Sequence, residues 1–202
     1  MIIIGIDPGT ATTGWGIIKR TANTRPPSFT RRSGRSEQQT AGDKKGRSPR
    51  TASCSLSLVD FGCILTDSTD LMGERLLVLK RALQKIIKTY HPDCMVIEKL
   101  FFGANSTSAM SVGQARGVVL LVARENRLPT FEYTGLEVKL AVANHGRADK
   151  KSIQTAVRSH LRVTNLPKPK NQVGEPVFRF RDDAYDAVAT AICHVLKTEN
   201  SS

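Results

Sequence analysis

Four acidic residues stand at positions where a charged side chain is costly to bury. Asp7 ends one apolar segment and Glu98 ends another, while Asp183 and Asp186 lie three residues apart at the start of the last predicted helix and share a face of it. If three elements bring these acids together, the acids repel one another unless divalent cations neutralise them. An all-oxygen ligand set favours Mg²⁺, with Mn²⁺ as a substitute. Two such ions can clamp the attacking and leaving oxygens of a phosphodiester.

Each of these acids also has a purely structural explanation. Asp7 can cap the Asp-Pro-Gly turn that follows it, and Glu98 can pair with the neighbouring Lys99. Asp182 and Asp183 can cap the last helix, and their negative charges interact favourably with its positive N-terminal end. The register is open at this point, because Asp182 and Asp186, four residues apart, share a helix face too.

The elements that must position these acids follow from apolar spacing. Strands are predicted over residues 1–7, 14–19, 58–65, 94–97 and 130–133, and helices over 70–90, 106–126, 135–143, 149–162 and 182–196. The first three strands should form antiparallel hairpins, and the later ones, joined by helical crossovers, should be parallel. The sequence therefore predicts an α/β fold with a five-stranded mixed sheet flanked by helices.

The positive charge is concentrated in one part of the chain. The 202 residues carry 30 Lys and Arg against 18 Asp and Glu, a net charge of +12, which favours a polyanionic partner such as nucleic acid over an acidic membrane surface. Residues 20–55 hold nine basic and two acidic residues, +7 of that total, and Phe29 is their only large apolar side chain. We expect this segment to be a disordered basic insertion between strands 2 and 3 of a single domain spanning 1–202. It either touches phosphates or is a tolerated surface loop.

Several classes of protein are excluded by composition. The sequence has no run of 18 or more apolar residues, so a transmembrane helix is not expected. Its first residues lack the basic start of a signal peptide. Its four cysteines form no CxxC pair, which argues against a zinc ribbon and is typical of reduced thiols in the cytoplasm.

Five segments, in order along the chain, resemble the RuvC family of Holliday-junction resolvases. They are residues 4–10 (IGIDPGT) with 13–16 (TGWG), 96–102 (VIEKLFF) with Asn105, 113–117 (GQARG), 146–150 (GRADK) and 183–187 (DAYDA). The opening segment alone is weak evidence for the family, but the whole set of segments in this order is specific to it. The resemblance covers residues 1–19 and 57–197.

The resemblance implies a ribonuclease-H-like fold and a homodimer in which each subunit cuts one strand of a four-way DNA junction. It implies RuvA and RuvB, the branch-migration proteins, as partners. Asp7, Glu98, Asp183 and Asp186 would be the catalytic carboxylates that hold two Mg²⁺ ions, since the D-x-x-D-A pattern selects Asp183 over Asp182. Phe101 would stack at the junction centre, and Lys139 and Lys150 would contact phosphates.

Two departures from the family leave alternatives open. The 20–55 insertion replaces a short turn, and the 165–181 linker is longer than is usual before the last acids. The linker could displace Asp183 or change how substrate enters. Three other functions compete with junction resolution: a nuclease of the same fold acting on RNA or other branched DNA, a non-catalytic junction-binding module, and a sugar-kinase-like ATPase. The sequence is too short for the two lobes of such an ATPase, and it has no second glycine-rich phosphate turn.

Overall fold

The computed structural model describes residues 1–21, 54–99, 106–177, 179 and 181–199. Its strands are β1 (Ile2–Asp7), β2 (Thr12–Thr21), β3 (Ser55–Leu65), β4 (Cys94–Lys99) and β5 (Thr130–Thr134). Its helices are α1 (Met72–Tyr90), α2 (Ser106–Glu125), α3 (Gly135–Ala143), α4 (Lys150–Leu161) and α5 (Arg181–Glu199). All ten predicted elements are confirmed, with ends that differ by three residues or fewer.

The strands form one mixed sheet in the order β3-β2-β1-β4-β5. The β1–β2 and β2–β3 pairs are antiparallel, whereas β1–β4 and β4–β5 are parallel, as predicted. Ile-rich β1 lies in the centre, and its Ile3, Ile4 and Ile6 are fully buried. A strand covered on both faces is hydrophobic throughout rather than alternating, which explains the run of isoleucines.

Helices cover both faces of the sheet. One hydrophobic cluster joins α1 and α2 to one face, and a second joins α3, α4 and α5 to the other. Helix α1 is amphipathic, with Leu79, Leu83 and Ile86 turned to the sheet at helical spacing. Helix α5 is almost wholly buried from Ala184 to Val195, so it is the central helix of its layer. None of the described helices has the length and apolar character needed to cross a membrane.

The basic insertion leaves the sheet at a hairpin end, as expected. Strand β2 pairs with β3 up to Thr21 and Ser55, and a single register shift occurs between Ile17 and Ile18. Residues 22–53 of the insertion lie outside the described residues. The flanking strands are therefore continuous with the sheet on both sides of the segment.

The long linker before α5 is anchored to the outer edge of β3. The Cys63 backbone N–H donates to the Lys170 carbonyl at 2.9 Å. The Gln172 side chain bonds both the N–H and the carbonyl of Leu65, at 2.9 and 2.8 Å. Gly62 allows this approach, because a Cβ there would stand 2.1 Å from the Lys170 oxygen. The part of the linker from Lys170 to Gln172 therefore lies along the edge strand β3.

Candidate active site

Two of the four predicted acids lie side by side at one edge of the sheet. Strands β1 and β4 are parallel neighbours with Ile6 opposite Ile97, so Asp7 and Glu98 follow at the same end of both strands. The first turn of α3 approaches Glu98 closely, since a Cβ on Gly135 would stand 2.7 Å from its Oε1. The positive end of that helix therefore faces a carboxylate.

Helix α5 brings the other two acids to this edge because glycines let it lie directly on the sheet. A Cβ on Gly14 would stand 2.0 Å from the Asp183 carbonyl oxygen, and one on Gly5 would stand 2.0 Å from the Ala187 carbonyl oxygen. Gly14 pairs with Asp7 across the β1–β2 hairpin. The backbone of α5 at Asp183 is therefore held one strand away from Asp7.

We call Asp7, Glu98, Asp183 and Asp186 the carboxylate cluster, because burial and neighbouring negative charges raise the pKa values of all four. Burial raises the pKa of Asp7 well above its usual range, and the negative charges of the other three raise it further. Burial and then Asp186 raise the pKa of Glu98 to about 7. Burial and then Asp183 raise the pKa of Asp186 to about 6. Burial followed by Asp182 raises the pKa of Asp183, while Lys150 opposes the shift.

The donor set suits a hard divalent cation. Its four members offer only carboxylate oxygens, the ligands that Mg²⁺ and Mn²⁺ prefer, and a bound cation would remove the repulsion that raises their pKa values. Within the described ranges, no three acidic, histidine or cysteine side chains converge closely enough to form a closed metal cluster. The four acids are therefore grouped by their raised pKa values at one end of the sheet, and not by side chains already arranged around a metal ion.

The two predicted lysines face the same cavity. Lys139 and Lys150 line a space of about 360 Å³ together with Glu98 and Asp186. Lys139 lowers the pKa of Glu98 and of Asp186, against the larger effect of burial. The cavity lining thus combines carboxylates with two ammonium groups, an arrangement that suits a phosphate bridged to cations.

Asp182 has a different set of contacts from Asp183. Its Oδ2 accepts from Lys150 Nζ at 3.0 Å and its Oδ1 accepts from Gln154 Nε2 at 2.8 Å. The ion pair with Lys150 raises the pKa of that lysine. Both oxygens of Asp182 are therefore engaged by α4, whereas Asp183 contributes to the field at Asp7.

A bracing network around the turn that follows Asp7 escaped prediction from the sequence. Arg75 Nε donates to Thr66 Oγ1 at 3.0 Å, and that hydroxyl donates to the Thr10 carbonyl. The Thr66 N–H donates to the Ala11 carbonyl at 3.1 Å. Apolar spacing places Arg75 on α1, but no local pattern indicates that it is linked through Thr66 to a turn more than sixty residues earlier.

Phe101, the residue expected to stack at a junction centre, lies outside the described residues, as do Phe102 and Asn105. Strand β4 ends at Lys99 and α2 begins at Ser106, so the segment that carries Phe101 follows Glu98 directly in the chain.

Comparison with known proteins identifies the fold and then the family. The structure of Thermus thermophilus RuvC matches with a TM-score of 0.70 at 24% identity, covering 100% of this chain and 97% of that one. A second, T. thermophilus RuvC in complex with Holliday junction substrate, matches with a TM-score of 0.70 at 21% identity over 98% and 95% of the two chains. These likenesses confirm the ribonuclease-H-like fold and define the chain as an α/β protein of that class, with the carboxylate cluster at one end of its sheet.

The family follows from the sequence matches. The family model of crossover junction endodeoxyribonuclease RuvC matches residues 49–194. Crossover junction endodeoxyribonuclease RuvC from Desulfitobacterium hafniense is 41% identical over 194 residues, 96% of this chain and 92% of the relative. The chain belongs to the RuvC family, and it is a crossover junction endodeoxyribonuclease. This assignment favours junction resolution over the RNA, binding-module and ATPase alternatives.

Proposed function

We propose that Asp7, Glu98, Asp183 and Asp186 are the metal-binding catalytic residues with which this enzyme resolves four-way DNA junctions. The observation that carries the proposal is that β1, β4 and α5 bring four partly buried acids to one end of the sheet, where Glu98 and Asp186 line a cavity that two lysines also line. Acids clustered near a polyanion disfavour binding, so their burial here calls for a role in chemistry.

The metal in this proposal is Mg²⁺, two ions per site, with Mn²⁺ as a substitute. When bound, the ions supply a water acidic enough to attack phosphorus in line and a counter-charge for the departing 3′ oxygen. The chain's own residues hold and orient them. Glu98 and Asp186 give up their protons as the ions bind, since raised pKa values leave both partly protonated near neutrality.

The lysines complete the lining of the site. We assign Lys139 and Lys150 to the phosphate groups flanking the cut, where their positive charge favours the transition state. Lys150 is exposed and its partner Asp182 is partly exposed, so a phosphate can replace that carboxylate at little cost. Phe101 keeps its proposed role of stacking on a base at the junction centre, a contact that tolerates any base.

A homodimer is part of the proposal, because paired cuts need two sites. Helix α2 presents an exposed stripe of Met110, Gln114, Gly117 and Leu121, one helical turn apart. Met110 is 72% exposed and Leu121 is 52% exposed. Nothing lies within 4 Å of a Cβ built on Gly117, which leaves a notch between them. This stripe fits the same stripe of a second copy. Light scattering should give twice the monomer mass, and Leu121→Glu should reduce it to the monomer.

Two further expectations complete the proposal. The family resemblance supports RuvA and RuvB as partners, and a pull-down of each with the full chain tests them. A cytoplasmic location is supported by the cysteines, since Cys54, Cys63, Cys94 and Cys193 are all free thiols in the structure.

The experiment is cleavage of a synthetic four-way junction labelled in turn on each strand, with Mg²⁺, with Mn²⁺ and with EDTA. Linear duplex and single strands are the substrate controls. We expect metal-dependent nicks in symmetric pairs, on the junction alone, with 5′-phosphate and 3′-hydroxyl ends. Asp7→Asn should abolish cutting and keep binding, while Asp70→Asn, which changes an exposed acid, should leave both cutting and binding unchanged. Near wild-type cutting by Asp7→Asn would overturn the residue assignment.

A further inference from the structure

Asp7 occupies the last position of β1, and the chain turns immediately after it. Its backbone partner is Gly14 on β2. The pairing between β1 and β4 stops one residue earlier, at Ile6 and Ile97. The position of the Asp7 backbone therefore depends on the turn of residues 8–11, which we call the Asp7 turn.

A hydroxyl on β2 holds the first half of this turn. Thr13 Oγ1 donates to the Gly9 carbonyl at 2.7 Å and accepts from the Gly9 N–H at 3.3 Å. Thr13 is almost fully buried, so water competes little for either bond. Both contacts lie within the β1–β2 hairpin, whereas the second half of the turn, Thr10 and Ala11, is held from outside it.

Thr66, the first residue after β3, binds both carbonyls of that second half. Its backbone N–H donates to the Ala11 carbonyl at 3.1 Å, and its hydroxyl donates to the Thr10 carbonyl. The β2–β3 pairing reaches Thr12 and Leu65, so these two bonds continue the sheet past its last pair. A single residue thus ties the Asp7 turn to the end of β3.

Arg75 fixes the direction in which the Thr66 hydroxyl donates. Its Nε donates to Thr66 Oγ1 at 3.0 Å. A guanidinium group has donors and no acceptor, so the hydroxyl accepts from Arg75 and keeps its one hydrogen for Thr10. Arg75 stands on α1, which Leu79 and Leu83 anchor in the core. The donor is therefore presented to Thr66 by a rigid element.

We propose that Thr66 and Arg75 are positioning residues, which hold the Asp7 turn so that the Asp7 carboxylate is placed to bind metal. The inference rests on the proposed function of Asp7. The described lining of the active-site cavity includes neither Thr66 nor Arg75, so both act through Asp7 and not on the substrate. Without these contacts the turn is freer to move, and ordering it on metal binding lowers the affinity.

The test is metal binding by the DNA-free protein, with Mn²⁺ as the probe and the paramagnetic resonance signal of the free ion as the readout. Thr66→Val removes the hydroxyl and keeps the side-chain size, and we expect it to weaken Mn²⁺ binding by about tenfold, as loss of a group that orients a metal ligand does. Thr66→Ser keeps the hydroxyl and should bind as the wild type does. Arg75→Met should weaken binding by a smaller factor. The double variant should bind no more weakly than Thr66→Val, because both changes break one chain of hydrogen bonds.

Gln172 provides the matched control at the same end of β3. Its two side-chain hydrogen bonds go to Leu65, the neighbour of Thr66, and not to the Asp7 turn. Gln172→Leu should therefore lower the melting temperature and leave the Mn²⁺ affinity unchanged. A loss of affinity as large as that of Thr66→Val would show that any loosening of this sheet edge has the same effect, and it would overturn the inference.

Cleavage gives a second readout. At low Mg²⁺, Thr66→Val should cut junctions about tenfold more slowly than the wild type, and at saturating Mg²⁺ it should come within about threefold, because the bound ions then order the turn. A rate deficit that excess Mg²⁺ leaves unchanged would contradict a role in metal binding.

Asp7→Asn separates this inference from the proposed function. If Asp7→Asn lowers the Mn²⁺ affinity and Thr66→Val does not, the inference is wrong and the proposed function stands. If Asp7→Asn binds Mn²⁺ as tightly as the wild type, both fail. If Thr66→Val does not fold, Arg75→Met decides alone, and an unchanged Mn²⁺ affinity in that variant overturns the inference.

Discussion

The contact between Gly14 and α5 makes a sharp test of how the active site is positioned. Gly14→Ala adds one methyl group that would stand 2.0 Å from the Asp183 carbonyl oxygen and 2.4 Å from its carbonyl carbon. Both are backbone atoms, so no side-chain rotation can relieve the overlap. Ordinary contact begins at 3.4 Å, and the first turn of α5 must therefore retreat by about 1.4 Å.

The retreat carries Asp183 away from Asp7. A misplacement of about 1 Å in an active site costs about 100-fold in rate, which corresponds to about 2.7 kcal/mol of transition-state stabilisation. Overpacking a well-fitted interface also lowers the free energy of unfolding, by about 1–3 kcal/mol. We therefore expect Gly14→Ala to fold with a lower melting temperature and to cut junctions at least 100-fold more slowly.

The assay is single-turnover cleavage at saturating protein and Mg²⁺, with binding measured separately by anisotropy and the folded fraction by circular dichroism. Binding should stay close to wild type, because the cavity lysines belong to α3 and α4. Gly73→Ala is the matched control, since nothing lies within 4 Å of a Cβ there. A folded Gly14→Ala protein that cuts within threefold of wild type would refute the idea that this contact sets the position of Asp183.

Three other predictions concern charge. Glu98→Gln should abolish cutting and, in metal-free protein at pH 8, raise the free energy of unfolding by about 3 kcal/mol. The folded pKa of about 7 lies above the ordinary glutamate value of 4.5, so stability is lost as pH rises from about 4.5 to about 7, and urea titrations at pH 4 and pH 8 measure the loss. At subsaturating Mg²⁺ the cleavage rate should rise between pH 6 and 8, as Asp186 and Glu98 lose protons, and excess Mg²⁺ should move the profile to lower pH; a flat profile would contradict this. Asp183→Asn should abolish cutting, whereas Asp182→Asn should only weaken the hold on Lys150 and leave cutting within tenfold; the reverse result in the same cleavage assay would move the ligand to Asp182.

The elements of the fold were predictable because each has a local signal. The isoleucines of β1, the helical spacing of α1 and the Pro92 that follows it fix their elements without reference to the rest of the chain. Antiparallel and parallel pairing followed from whether a helix connects the two strands. The carboxylate cluster was also expected, since acids at the ends of apolar elements are costly in any fold.

What the sequence left open depends on contacts between distant segments. The glycines of β2 read as weak strand formers, and only the packed structure indicates that Gly14 makes room for the α5 backbone. The engagement of Asp182 by Lys150 and Gln154, and the anchoring of Lys170 on β3, each join elements whose relative position no local pattern encodes.

The hairpin end at Thr21 and Ser55 is a position where the inserted segment can become longer or shorter without changing the sheet. The chain leaves and re-enters the sheet at paired positions, so the 33 residues between them close a loop whose ends are already adjacent. Loop-closure entropy grows only with the logarithm of length, and shortening the segment to a four-residue turn would gain about 2 kcal/mol at most. The hairpin end is therefore a position where a segment can be exchanged, tagged or fused to another domain, because the carboxylate cluster lies at the opposite end of β2.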